Sequence, residues 1–223
     1  MFWYQYLCLG CLFVCVSACL WHFVRLVRLG KPKDLSKKSG NITKSVIYSN
    51  TLAMLPNQKE SAYLHLPTFT AGVLFHIGTF IALSFFVVFF FLDIAVFQEY
   101  TTLLILATLT ELFLVISMAC GLILLLKRIF SKKLQALSSL DDSVSTFLTM
   151  LFQFVTIYYL LQGDSFAMKY YILTSIFFLY IPVGKLRHVV YFFAARYQLG
   201  FFYGWRNSWP PSPKKNVSLQ KIN

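Results

Sequence analysis

Apolar residues in this chain come in long unbroken runs, separated by short polar segments. Five blocks stand out, at 2–27, 67–92, 101–126, 144–161 and 170–195. A helix rises about 1.5 Å per residue, so roughly 20 apolar residues cross a hydrocarbon core about 30 Å thick. The fourth block is the shortest and carries Gln153, yet its apolar density still supports a span. The pattern predicts an all-α integral membrane bundle of five transmembrane helices. A segment rich in Ser, Asn, Lys and Gly occupies 29–66, beyond the usual loop length. From Gly204 the chain turns polar and carries Pro210, Pro211 and Pro213, so residues 204–223 read as a cytoplasmic tail.

Charge orients the bundle. Nineteen of the 20 Lys and Arg fall at the end of the first block or in the segment after it, in the 127–133 link, or from Lys185 onward; only Lys169 lies on the opposite side, with Asp93, Glu99 and Asp164. Positive charge collects on the cytoplasmic side of membrane proteins, and an odd number of spans is needed to sort the charges this way. The expectation is an N-terminus outside and a C-terminus inside. A net charge of +12 in a chain that is 58% hydrophobic and 13% charged is therefore an orienting charge. It is not a nucleic-acid footprint, because the cations sit in connectors between spans.

Cys8, Cys11, Cys15 and Cys19 recur at spacings of three and four within the first block. One helix stripe cannot surround a metal tetrahedrally, so these small residues read as a packing stripe. Val16-Ser17-Ala18-Cys19 has the look of a lipoprotein cleavage site, but no basic n-region precedes it. The block reads as an uncleaved helix.

Polar side chains inside spans are costly and tend to mark function. His76 falls in the second block, Glu111 in the third, Gln153 in the fourth and His188 in the fifth, while His22 and His65 fall at block ends. His76 and His188 both map to the inner half of the bilayer, the placement a bis-histidine haem requires. The alternative is two buried histidines bonded to neighbouring backbone or hydroxyls. Gly72, Gly78 and Gly184 near them would leave room for a porphyrin, and Lys185 and Arg187 would meet its propionates. Arg187 would also raise the haem potential by favouring reduced iron.

The residues 74–78 (Leu-Phe-His-Ile-Gly) and 182–188 (Pro-Val-Gly-Lys-Leu-Arg-His), with 192–198 after them and the basic-then-acidic link 127–142 before them, resemble a family of membrane cytochromes b. Its members are the gamma subunit of respiratory nitrate reductase and the membrane subunit of heterodisulfide reductases. The resemblance covers the second to fifth blocks. It implies a five-span, N-out fold in a prokaryotic cytoplasmic (inner) membrane, with haem b held between the second and fifth spans, quinone as redox partner, and an iron–sulfur subunit docked on the cytoplasmic face. The family usually stacks two haems; the outer pair of ligand positions corresponds here to Phe86 and Tyr170, neither a competent ligand. The resemblance thus implies one haem, with His76 and His188 as axial ligands. His65, Glu111 and Gln153 are then candidates for quinone contact or proton handling, although Glu111 is equally readable as a protonated packing residue. No P-loop, dinucleotide fingerprint or set of CxxC clusters is present, so substrate chemistry would belong to another subunit. The competing expectation is a haem-free anchor that recruits a soluble complex; a small channel or transporter ranks last, since no internal repeat is visible.

Overall fold

The computed structural model describes residues 2–29, 35–55, 64–92 and 94–211, and every regular element among them is helical. Lys31, Lys33, Lys59, Asp93, Pro213, Lys214, Lys215 and Lys221 lie outside the described residues. The helices are α1 (Trp3–Leu29), α2 (Ile42–Asn50), α3 (Leu66–Phe91), α4 (Ile94–Glu99), α5 (Thr101–Phe130), α6 (Lys132–Gln135), α7 (Leu140–Gln162), α8 (Ala167–Tyr180) and α9 (His188–Trp205). Four stretches are long and apolar enough to cross a bilayer: Trp3–Leu29, Leu66–Phe91, Thr101–Phe130 and Leu140–Tyr180. The last folds back on itself. Gly163 ends α7 with φ 61°, in the left-handed region open to glycine, and a 3₁₀ turn over Gly163–Phe166 delivers the chain into α8. The chain is a multi-pass membrane protein.

Two compact units form. The first contains Met1–Cys19 and Tyr63–Arg187, the second Leu20–Ala62 and His188–Asn223. In the first, the long helices alternate in direction in chain order. Ser117 donates to the Phe75 carbonyl and Lys127 Nζ to Thr68 Oγ1 at 2.5 Å, so α5 runs antiparallel to α3. Gln153 meets Phe75 and Thr79, and Tyr159 meets Phe89, so α7 runs parallel to α3. Phe152 stacks on Phe177 and Tyr159 on Tyr170, so α8 returns along α7. Tyr4 stacks on Tyr171, and the Cys8 thiol lies by Ser175, which gives α1 the direction of α8.

Small residues permit the close approach. A Cβ on Gly78 would collide with the Ser117 side chain, and one on Gly121 with the Phe75 ring; small residues serve the same purpose in membrane bundles generally. The inward stripe of α5 is Ala107, Thr110, Leu114, Ser117 and Gly121, while Leu104, Ile105, Leu109, Leu112, Val115 and Ile116 stay exposed. A helix apolar on both its buried and its exposed face belongs in lipid. Cys8, Cys11 and Cys15 are buried on α1 as free thiols, in keeping with a packing stripe.

Lys127, Arg128, Lys132, Lys133 and Lys185 gather at one end of this unit. The turn into α8 and Lys169 lie at the other.

Two expectations change. The run 170–195 is not one helix: α8 stops at Tyr180, residues 181–187 form turns and a 3₁₀ helix, and His188 starts α9. Pro182 forces the break, since it lacks an N–H and its ring would clash with the preceding turn of a continuing helix. The segment 29–66 is also more than a connector. Within it α2 is capped by Asn41, whose side chain accepts from the Lys44 N–H at 3.0 Å, and packs on α9 in the second unit. There Gly200 faces Val46 and Gly204 faces Ser45, while Ser49 Oγ donates to the Arg196 carbonyl at 2.8 Å. The polar tail therefore begins after Trp205 and not at Gly204.

Candidate functional site

His76 lies on the exposed side of α3, ten residues and so about 15 Å from its start. Its Nδ1 is 2.7 Å from the carbonyl oxygen of Gly72, one turn earlier. A carbonyl only accepts, so Nδ1 carries the proton and Nε2 the lone pair. Metal-binding histidines commonly show this arrangement, the backbone fixing tautomer and ring orientation. A Cβ on Gly72 would meet nothing within 4 Å. The imidazole is exposed, with its Nδ1 held by the backbone of its own helix.

His188 is the first residue of α9 and is exposed. It belongs to the second unit, whereas His76 and Lys185 belong to the first. Two other expected haem contacts have different engagements. Lys185 Nζ pairs with Asp142 Oδ1 at 3.2 Å. The space above Gly184 is filled by the Tyr180 ring, because the Gly184 N–H bonds back to the Tyr180 carbonyl at 2.8 Å and folds the chain under that ring. Arg187, in the short 3₁₀ helix, is exposed. As a test of fit, the imidazole of His76 suits an axial ligand and the space beside Gly72 suits a planar group, whereas Gly184 offers no cradle.

The remaining candidates separate cleanly. Gln153 is fully buried and ties α7 to α3, its Nε2 donating to Thr79 Oγ1 at 2.9 Å and to the Phe75 carbonyl at 3.3 Å. Glu111 is half-buried on α5, one residue from the inward Thr110. His65 is exposed just before α3, its carbonyl accepting from the Phe69 N–H. Phe86 and Tyr170 are core residues: Phe86 packs edge-on to Phe178 with centroids 4.8 Å apart, and Tyr170 stacks on Tyr159 at 4.6 Å. Rings fill those two positions.

A polar cluster at the cationic end escaped the sequence reading. Tyr180 Oη donates to Asp141 and lies 2.9 Å from Ser145 Oγ, while Asp142 closes a capping box with Ser139 and pairs with Lys185. The acidic pair before the fourth block was its only sequence signal. The partners across the cluster, Tyr180 for Asp141 and Lys185 for Asp142, are 39 and 43 residues away, beyond the reach of local pattern. No group of three or more His, Cys, Asp or Glu able to hold a metal ion occurs among the described residues; a haem needs only two axial side chains.

No family model, curated protein or solved structure matches this chain.

Proposed function

We propose that this chain is a haem b electron-transfer membrane subunit of a quinone-linked respiratory oxidoreductase complex in a prokaryotic inner membrane. It would pass electrons between membrane quinone and an iron–sulfur subunit on the cytoplasmic face. The observation that carries this reading is the His76 imidazole, oriented by Gly72 and beside open space on a span-length helix. The resemblance of 74–78 and 182–188 to membrane cytochromes b supplies the second ligand, His188. When bound, haem b provides a one-electron centre. The chain's own part is to hold the ring nitrogen, keep water away with apolar helices, and set the local charge with Arg187.

The alternating directions of α1, α3, α5, α7 and α8 support five spans. The gathering of cations at one end supports N-out, C-in orientation. Packed rings at Phe86 and Tyr170 support one haem over two. A second reading, a haem-free anchor for a soluble complex, is favoured by the engagements of Gly184 and Lys185.

A reduced-minus-oxidised optical spectrum of the purified protein with haem stoichiometry decides between them. The expected result is b-type bands at about one haem per chain, lost in His76→Ala and in His188→Ala but kept in His22→Ala and His65→Ala. Absence of bands in the native protein leaves the anchor.

A further inference from the structure

Three buried side-chain polar atoms in the described residues have no hydrogen-bond partner: Gln153 Oε1, Tyr170 Oη and Thr174 Oγ1. All three residues are 0% exposed. All three lie in the α7–α8 hairpin, within one unit. Tyr170 and Thr174 are one turn apart on α8, and the Tyr170 hydroxyl lies beside the Thr156 hydroxyl of α7. Thr156 itself donates to the Phe152 carbonyl at 2.9 Å.

The buried hydroxyls of Thr149, Thr156 and Ser175 in the same hairpin are satisfied by the carbonyl one turn back. Thr149 reaches Ser145 at 2.8 Å and Ser175 reaches Tyr171 at 2.7 Å. The orphaned groups therefore stand out against a local rule. A hydroxyl or amide left unpaired away from water is costly, and hydrocarbon offers no outside partner. Buried polar groups of this kind are usually bridged by internal water, which needs two to four polar partners. The occupant has to be small, because the Phe152–Phe177 and Tyr159–Tyr170 stacks at 4.6 Å close the hairpin to anything the size of a ring. It has to both donate and accept, since the hydroxyls do either.

We propose that the α7–α8 hairpin holds trapped water between Thr156, Tyr170 and Thr174, forming a hydrated polar site inside the membrane bundle. The site is independent of the haem reading, since none of its residues is a proposed ligand.

The test compares the native protein with Tyr170→Phe, Thr174→Val and the double variant, in one detergent. If water bridges the hydroxyls, each single variant lowers the thermal midpoint, and the double variant loses less than the two combined because both act on the same water. If the hydroxyls are dry and unpaired, deleting either one raises the midpoint, and the proposal fails. Infrared difference spectra of the native protein in ordinary and ¹⁸O water give a second readout that needs no variant to fold. An isotope-shifted O–H band from sequestered water is expected; its absence overturns the site.

Discussion

At Gly200 a Cβ would lie 2.5 Å from the Val46 Cα and 2.9 Å from the Val46 nitrogen. Backbone atoms cannot step aside as a flexible side chain can, so the smallest added side chain forces α2 away from α9. Gly200→Ala is expected to cost about 1–3 kcal/mol by overpacking. Hydrogen exchange across α2 should accelerate while α5 keeps its protection; unchanged exchange in α2 would contradict this. At His76 the Gly72 carbonyl fixes which nitrogen bears the proton. On the proposed haem reading, His76→Gln should lose the haem bands as completely as His76→Ala, because an amide offers iron no imidazole nitrogen. Retention of the bands in His76→Gln would show that another residue ligates.

Among elements, the α7–α8 hairpin combines strong and weak local devices. At the start of α7 the Ser139 N–H donates to Asp142 Oδ2 at 2.8 Å, and the Ser139 side chain caps the first turn in return. Ser139→Ala should cost about 1 kcal/mol, read as a lower denaturation midpoint in mixed micelles. The Lys185–Asp142 pair spans the same end, but Lys185 is 51% exposed. Exposed ion pairs contribute about 0–1 kcal/mol, so Lys185→Ala should move the midpoint less than Ser139→Ala does. The reverse order would mean that the ion pair, and not the cap, holds the hairpin closed. The return limb α8 has 14 residues, about 21 Å, less than a full hydrocarbon core; residues 181–187 carry the chain onward beyond Pro182.

For the whole molecule, the five-span reading makes a geometric prediction. In a cysteine-free background, Ser165→Cys in the turn before α8 should react with a membrane-impermeant maleimide added outside intact cells. Lys133→Cys, at the cationic end, should react only after the membrane is opened. Labelling of Lys133→Cys from outside would invert the orientation, and labelling of both from one side would break the alternation. Of the fold itself, the first four apolar blocks were legible as α1, α3, α5 and α7, because continuous apolar sequence and helix length are local properties. The cysteine stripe of α1 was legible for the same reason. The break in the fifth block was signalled by Pro182, but the apolar residues on both sides of it masked the signal. The polar segment before the second span concealed α2, whose helix is stabilised by a partner surface on α9.

The sequence by itself determined that this chain is helical, apolar on every face of its long helices, and strongly polarised in charge. Those properties depend only on the order of residues along the chain. Tertiary structure decided which polar atoms find partners: Gln153 tied to Thr79, Lys185 to Asp142, the Tyr180 ring over Gly184, and, among the described residues, three buried atoms without a protein partner. Those outcomes depend on which helix faces which, and contacts between residues far apart in sequence leave no periodic trace along it.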